Sequence, residues 1–247
     1  MAEYRWNQSE MAAGYDAAAE FIHPHYRLIQ DRTIDLFGKL NRSEGKIIDL
    51  GCGSGRWAER CLERFPQVRL ILIDQSNAFL DLARQRLGRF ANQVEFHQFR
   101  LQEDWHLAIR EPVDLIVSMS AIHHLDPQEK QQLYRRCYGL LSPGGLFLNG
   151  DEVRPESDPD YLAECQKWGR WMQAAVAAGQ IPPVMAEGLR KWQQRNIEQF
   201  GEPRKSGDDC HETLDRQLEY LRQAGFEQAD SPWQAELWAI LRGQRLA

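Results

Sequence analysis

The segment Ile47-Ile48-Asp49-Leu50-Gly51-Cys52-Gly53-Ser54-Gly55 limits what this chain can fold into more than any other. A short apolar run ending in glycine reads as a buried strand, and the glycines let the backbone turn sharply and pass close to a ligand. Residues 56–65, stopped by Pro66, read as the helix that follows, so its N-terminus faces whatever the turn holds. The G-x-G-x-G spacing departs from the dinucleotide fingerprint, which would place a third glycine where Arg56 stands. Asp49 lies two residues before the first glycine. It would crowd a pyrophosphate there but can hold a cationic amino group. Asp74 ends a second apolar run, 68–74, at a distance from the glycines where a carboxylate can take both ribose hydroxyls. The competing reading is that Asp74 caps a helix beginning near Ser76.

The alternation continues. A helix is predicted over 77–87 with Gly88 as its C-cap, then strands over 94–98 and 114–118. A helix from Asp126-Pro127 to Leu141 follows, then a Ser142-Pro143-Gly144-Gly145 turn and a fifth strand over 146–149. Strands alternating with helices at this spacing imply a mainly parallel α/β sheet with helices on both faces. Residues 9–41 read as helical, with a second start at Pro24. Past residue 153 the rhythm breaks into two helices separated by Ile181-Pro182-Pro183, then a helix over 212–224 stopped by Gly225, and a hairpin of strands near 226–231 and 235–241. The expectation is one domain: N-terminal helices (1–43), a ligand-binding core (44–153), a helical insertion over the sheet's carboxyl edge (154–209), and a closing helix and hairpin (210–247).

A net charge of −6 argues against general nucleic-acid binding, which needs a basic footprint. Five scattered cysteines without a C-x-x-C pair suggest reduced thiols, and residues 1–16 lack the apolar stretch of a signal peptide. Both point to a soluble, cytoplasmic protein. No run approaches the ~20 apolar residues of a membrane span. A homodimer is compatible with the sequence.

Taken together, Asp49 to Gly55, then Asp74, then Asp114-Leu115-Ile116-Val117-Ser118 with Ile122-His123-His124-Leu125, then Leu141 to Gly145, resemble the class I S-adenosylmethionine-dependent methyltransferases over residues 44–150. Ala224-Gly225-Phe226 is similar to the family's closing segment. The resemblance implies a Rossmann-like sheet of seven strands, six parallel and one antiparallel, with S-adenosyl-L-methionine over the first two and a small-molecule methyl acceptor. It implies that Gly51, Cys52 and Gly53 lie along the methionine part, that Asp74 binds the ribose with Gln75 beside the adenine, and that Ser118 meets the methionine end. Leu101 can supply an N–H to the adenine. Arg100 stands where many members carry an acid, leaving Gln102 or Glu103 to accept from the adenine amino group.

Phe21 to Tyr26 more loosely resembles the N-terminal helix of carboxy-S-adenosylmethionine synthases, where a tyrosine matching Tyr26 touches the cofactor; Tyr15 is a second candidate, and either can be plain core. His123 is the candidate catalytic base, because a ring titrating near neutrality suits acceptor deprotonation. Packing is its alternative role, and still more so that of His124. The remaining histidines show no metal-ligand spacing, so no metal is expected. Trp168, Trp171 and Trp192 either line an acceptor pocket under a lid or form core. Two other activities stay open. One is cofactor remodelling of the carboxy-S-adenosylmethionine synthase kind, with Arg170, Arg195 or Arg204 holding a carboxylate. The other is non-catalytic cofactor binding.

Overall fold

A computed structural model describes residues 5–40 and 44–246. Its seven-stranded sheet runs in the order β3-β2-β1-β4-β5-β7-β6. The strands are β1 (Lys46–Leu50), β2 (Arg69–Asp74), β3 (Val94–Gln98), β4 (Val113–Met119), β5 (Leu141–Glu152), β6 (Gln228–Ala235) and β7 (Trp238–Gln244). Pairings among β1 to β5 are parallel, and β7 runs antiparallel to both β5 and β6. This is the Rossmann-like α/β sheet that the sequence predicts, with its single reversed strand.

The central strands are buried on both faces, so they read as apolar runs while still dividing by period two. Ile47, Leu70, Leu72, Leu115, Val117, Leu146 and Leu148 face one layer with Phe37 and Trp57. Ile48, Leu50, Ile71, Ile73, Ile116 and Phe147 face the other with Trp105, Leu133, Tyr134 and Leu221. Each such side chain, fully buried, contributes about 1.5–3 kcal/mol of transfer free energy.

The helices are α1 (Ser9–Ile22), α2 (Tyr26–Gly38), α3 (Arg56–Arg64), α4 (Asn77–Arg86), α5 (Pro127–Leu140), α6 (Asp158–Ala177), α7 (Ala186–Gln193) and α8 (Leu214–Ala224). Asp126 starts α5 in a capping box with Glu129, with Pro127 inside the first turn. Gly225 ends α8 in the left-handed region, as predicted.

Two local expectations need correction. Gly88 is not a left-handed C-cap: α4 ends at Arg86, and the chain continues into a 3₁₀ stretch, Gly88–Gln93, tied by Phe90 N–H to Leu87 O. Nor does Ser142 to Gly145 separate a helix from a strand that starts at Leu146. Leu141 already pairs with Val113, and the four turn residues bulge out of β5 before Leu146 pairs with Leu115. The end of the chain pins this bulge, because Gly144 N–H donates to Arg245 O and Arg245 N–H to Gly145 O.

Within residues 154–209, α6 is anchored to the N-terminal helices. Trp168 Nε1–H donates to Ile22 O at 2.6 Å and Trp171 Nε1–H to Phe21 O at 2.9 Å. Trp168 is buried, with Trp192 against it, whereas Trp171 is half exposed. Trp168 and Trp192 pack against each other, while Trp171 lines an outer cleft.

Candidate functional site

The carboxyl ends of β1, β2, β4 and β5 meet at one edge of the sheet. At β1, Gly51, Gly53 and Gly55 all have positive φ (68°, 52° and 77°), a region that glycine enters without strain. Gly51 and Cys52 N–H both donate to Ile73 O, folding the turn back onto β2. A side chain at Gly51 would strike Ala121, with its Cβ at 2.5 Å, so the segment after β4 runs directly beside the glycine turn. At Gly53 a Cβ would meet nothing within 4 Å.

Two carboxylates bracket this turn. Asp74 Oδ2 accepts from Gly53 N–H at 2.9 Å, and Oδ1 from Ser76 N–H at 2.8 Å. Ser76 itself caps α4, its hydroxyl accepting from Phe79 N–H, so the cap reading of Asp74 does not hold. Burial raises the Asp74 pKa. Asp49 is buried at the end of β1, and its Oδ2 has no hydrogen-bond partner among the described residues. Burial first, and the Asp74 charge second, push Asp49 up to about 8.

The other predicted cofactor residues spread around this pair. Ser118 is fully buried and its hydroxyl donates to Leu50 O at 2.8 Å, tying β4 to β1. Gln75 O accepts from the Gln98 amide. Leu101 O accepts from Trp105 Nε1–H, while the Gln102 amide donates to Ser206 Oγ at 3.1 Å. Glu103 accepts from Arg100 N–H and so closes its own turn. Tyr26 lines a small cavity with Met119, Ser120, Gly150 and Trp238, next to the carboxyl ends of β4 and β5. Ser120 holds φ of 51°, strain that clusters at functional sites.

From the N-terminal side, Asp16 on α1 reaches over the loop. It accepts from Ser54 Oγ, from Arg56 Nε–H at 2.7 Å and from Arg86 Nη2–H at 2.9 Å. Burial would raise its pKa, but hydrogen bonds from Arg56 and Ser54 hold it below the usual carboxylate range. Sequence reading missed Asp16, because nothing local marks an aspartate on an alanine-rich helix as a clamp.

His123 belongs to a buried cluster. Its N–H donates to Asp151 Oδ2 at 3.0 Å, and its Nδ1 lies 2.6 Å from Asp151 Oδ1. Its Nε2 is 3.6 Å from Glu152 Oε2 and 4.0 Å from Asp209 Oδ1. His211 Nε2 sits 2.7 Å from Glu152 Oε2, and Tyr161 OH 2.5 Å from His211 Nδ1. Burial would lower the His123 pKa, but Glu152 and Asp151 overcome it and hold it up at about 10. His124 is pushed down to about 4 by burial and by the adjacent His123.

No spacing in the sequence marks a metal site, yet the fold brings candidate ligands together. His123, Glu152 and His211 bring ligand atoms within 4.8 Å of one another, as do His123, His124 and Asp209. They come from three segments, so no spacing rule detects them. The one available sequence signal was Asp151-Glu152, an acid pair at a strand's carboxyl end, where open α/β sheets bind ligands.

Of the arginines considered as carboxylate holders, Arg195 is paired with Asp208 at 3.0 Å. Arg170 lines an outer cleft of about 560 Å³ with Trp171 and Lys167. Arg204 donates to Arg195 O, but its Nη1 is buried with no hydrogen-bond partner among the described residues.

Residues 47–145 match the family model described as a methyltransferase domain. The chain is 35% identical over 132 residues to trans-aconitate 2-methyltransferase of Methylobacterium radiotolerans, covering 53% of this chain and 44% of that protein. It is 26% identical over 108 residues to carboxy-S-adenosyl-L-methionine synthase of Campylobacter lari, covering 44% of each. The chain thus spans less than half the length of either curated relative. In fold it is similar to an O-methyltransferase family protein from Burkholderia thailandensis, with a TM-score of 0.62 at 18% identity, covering 98% of this chain and 62% of that one. No helix among the described residues is long and apolar enough to cross a membrane. Sequence match, strand order and glycine-turn geometry agree: residues 47–145 are the core of a class I S-adenosylmethionine-dependent methyltransferase domain.

Proposed function

We propose that this chain transfers a methyl group from S-adenosylmethionine to a small acidic acceptor, bound between the N-terminal helices, residues 154–209 and the carboxyl ends of β4 and β5. The observation that carries this reading is Asp49 Oδ2, buried beside the glycine turn without a hydrogen-bond partner among the described residues. A buried acceptor left unsatisfied costs about 1–3 kcal/mol, and a ligand ammonium removes that cost. The open space at Gly53 fits a ligand lying along the turn. The residues present therefore suit the cofactor.

When bound, the cofactor supplies a methyl group on a sulfonium, which leaves by in-line displacement. The chain's own residues do the rest. Asp49 and the Gly51-Cys52-Gly53 backbone hold the methionine part, with Ser118 fixing the end of β4 beside it. Asp74 takes the ribose with Gln75 alongside, and Leu101 N–H meets the adenine, with Gln102 at the rim. Tyr26 closes the cofactor side of the cavity next to Ser120. His123, oriented by Asp151, positions the acceptor's nucleophilic atom. Alignment of this kind supplies much of the rate in a displacement between two bound partners.

The acidic acceptor is supported by the buried, unpartnered Arg204 Nη1, and one relative is named for trans-aconitate. The same guanidinium favours a second reading, in which a carboxylate is joined to the cofactor itself, as the name of the Campylobacter relative describes. Incubation with methyl-labelled S-adenosylmethionine and a panel of small di- and tricarboxylic acids separates the two. Label on an acid supports methyl transfer, a heavier adenosyl product supports remodelling, and binding without either product supports a sensor.

A further inference from the structure

We propose that His123, His211 and Glu152 form a site for one divalent cation of the first transition row, zinc or ferrous iron foremost, with Asp209 at its rim. This deepens the proposed function, because it names what occupies the acceptor side of the same edge. The argument is geometric. Bonds of about 2.0–2.2 Å from a metal to nitrogen or oxygen place neighbouring ligand atoms of a tetrahedron about 3.3–3.6 Å apart. His123 Nε2 is 3.6 Å from Glu152 Oε2, and the ligand atoms of His123, Glu152 and His211 lie within 4.8 Å of one another; Asp209 Oδ1 stands 4.0 Å from His123 Nε2. The 3.6 Å separation is too long for a hydrogen bond, yet it matches the edge of a coordination shell. The His211 Nε2 to Glu152 Oε2 contact, at 2.7 Å, is a hydrogen bond that opens slightly to admit the ion.

The far sides of both histidines and of Asp209 are already fastened. Asp151 holds His123 Nδ1 at 2.6 Å, Tyr161 OH meets His211 Nδ1 at 2.5 Å, and Asn196 Nδ2–H donates to Asp209 Oδ2 at 2.8 Å. Metal-bound histidines carry such a partner on the second nitrogen, which fixes the tautomer and aims the first nitrogen inward. Here both aimed nitrogens converge on Glu152.

Independently, Glu152 Oε1 is buried with no hydrogen-bond partner among the described residues, facing His23 Nδ1 at 3.5 Å. A carboxylate that is 1% exposed, with one oxygen lacking a hydrogen bond, keeps a lone pair available to an ion. Two imidazoles and a carboxylate without a thiolate suit zinc, iron, cobalt or manganese over soft ions. The nearby Cys210 turns away, its Sγ directed at Lys205 O. Placed between β5 and residues 208–211, the ion would receive an oxygen of the acceptor and hold it in line.

The test uses tag-free protein stripped by a chelator and titrated with Co²⁺, with S-adenosylhomocysteine binding measured in parallel. One equivalent of Co²⁺ with visible d–d absorption is expected. Glu152→Gln and His211→Gln should each weaken it at least ~10-fold while leaving the adenosyl affinity unchanged. Tyr161→Phe keeps every ligand atom and removes the hydroxyl on His211 Nδ1, so it should weaken Co²⁺ roughly 10–100-fold. It decides the matter if the ligand variants fold poorly. Absence of saturable Co²⁺ binding in protein that binds S-adenosylhomocysteine overturns the metal site alone, as does binding that all three variants leave unchanged. Metal binding without adenosyl binding would instead overturn the methyltransferase reading.

Discussion

Asp49 carries opposite demands from folding and from binding. Its carboxyl titrates near 3.9 in an unfolded chain, but burial and Asp74 raise it to about 8 in the fold. Between those values the native state holds more protons than the unfolded state, so this residue's contribution to stability declines as pH rises from about 4 to 8. Asp49→Asn removes the decline. Ligand-free Asp49→Asn should melt above the parent at pH 8, and the gap should narrow towards pH 5. For a chain of this size each 1 kcal/mol shifts Tm by about 2–4 °C. The same variant should bind S-adenosylhomocysteine more weakly. A gap in Tm that does not change with pH would mean that Asp49 is not the group titrating.

Asp74 differs, since both its oxygens already accept backbone N–H bonds that shape the turn. Asp74→Ala should cost a ribose contact of about 1.5–3 kcal/mol, which is about 10–150-fold in affinity, and should also loosen Gly53. Calorimetry measures the first effect; normal affinity would leave Asp74 a purely structural latch. The glycine turn with its two aspartates was legible because a tight turn after a buried strand restricts residue type locally. His123 was legible as a candidate but not in its company. Asp151, Glu152, Asp209 and His211 surround it only after β5 and residues 208–211 fold against β4.

Among the elements, α1 is held to the glycine turn through Asp16, which gathers Ser54, Arg56 and Arg86 from three separate segments. Asp16→Ala should free α1 from the loop. Amide exchange over residues 9–22 should then rise and S-adenosylhomocysteine binding weaken, with β1 to β5 still protected. Exchange unchanged over α1 would show that its apolar face against Phe79 and α6 suffices to hold it. Most helices and strands could be placed from sequence because burial on two faces, proline and glycine punctuation and capping residues act over a few positions. The exceptions have tertiary causes. The β5 bulge follows from Arg245, one hundred residues downstream, and the 3₁₀ stretch after α4 replaces the left-handed turn that Gly88 suggests.

For the whole molecule, we propose that the sheet sets the cofactor edge and that α1, α2 and residues 154–209 cover it. The division of the chain into core and helical cover is a proposal that hydrogen exchange can examine: with S-adenosylhomocysteine bound, protection over 154–209 should increase more than over β1 to β5. The central claim is that the turn at Gly51–Gly55 and its two carboxylates select an adenosyl amino acid over a dinucleotide. Isothermal titration calorimetry of the chain with S-adenosylhomocysteine and, separately, with NAD tests this directly. The account predicts saturable one-to-one binding of S-adenosylhomocysteine, weakened by both Asp49→Asn and Asp74→Ala, and no measurable heat with NAD. Saturable NAD binding with no response to S-adenosylhomocysteine would contradict it.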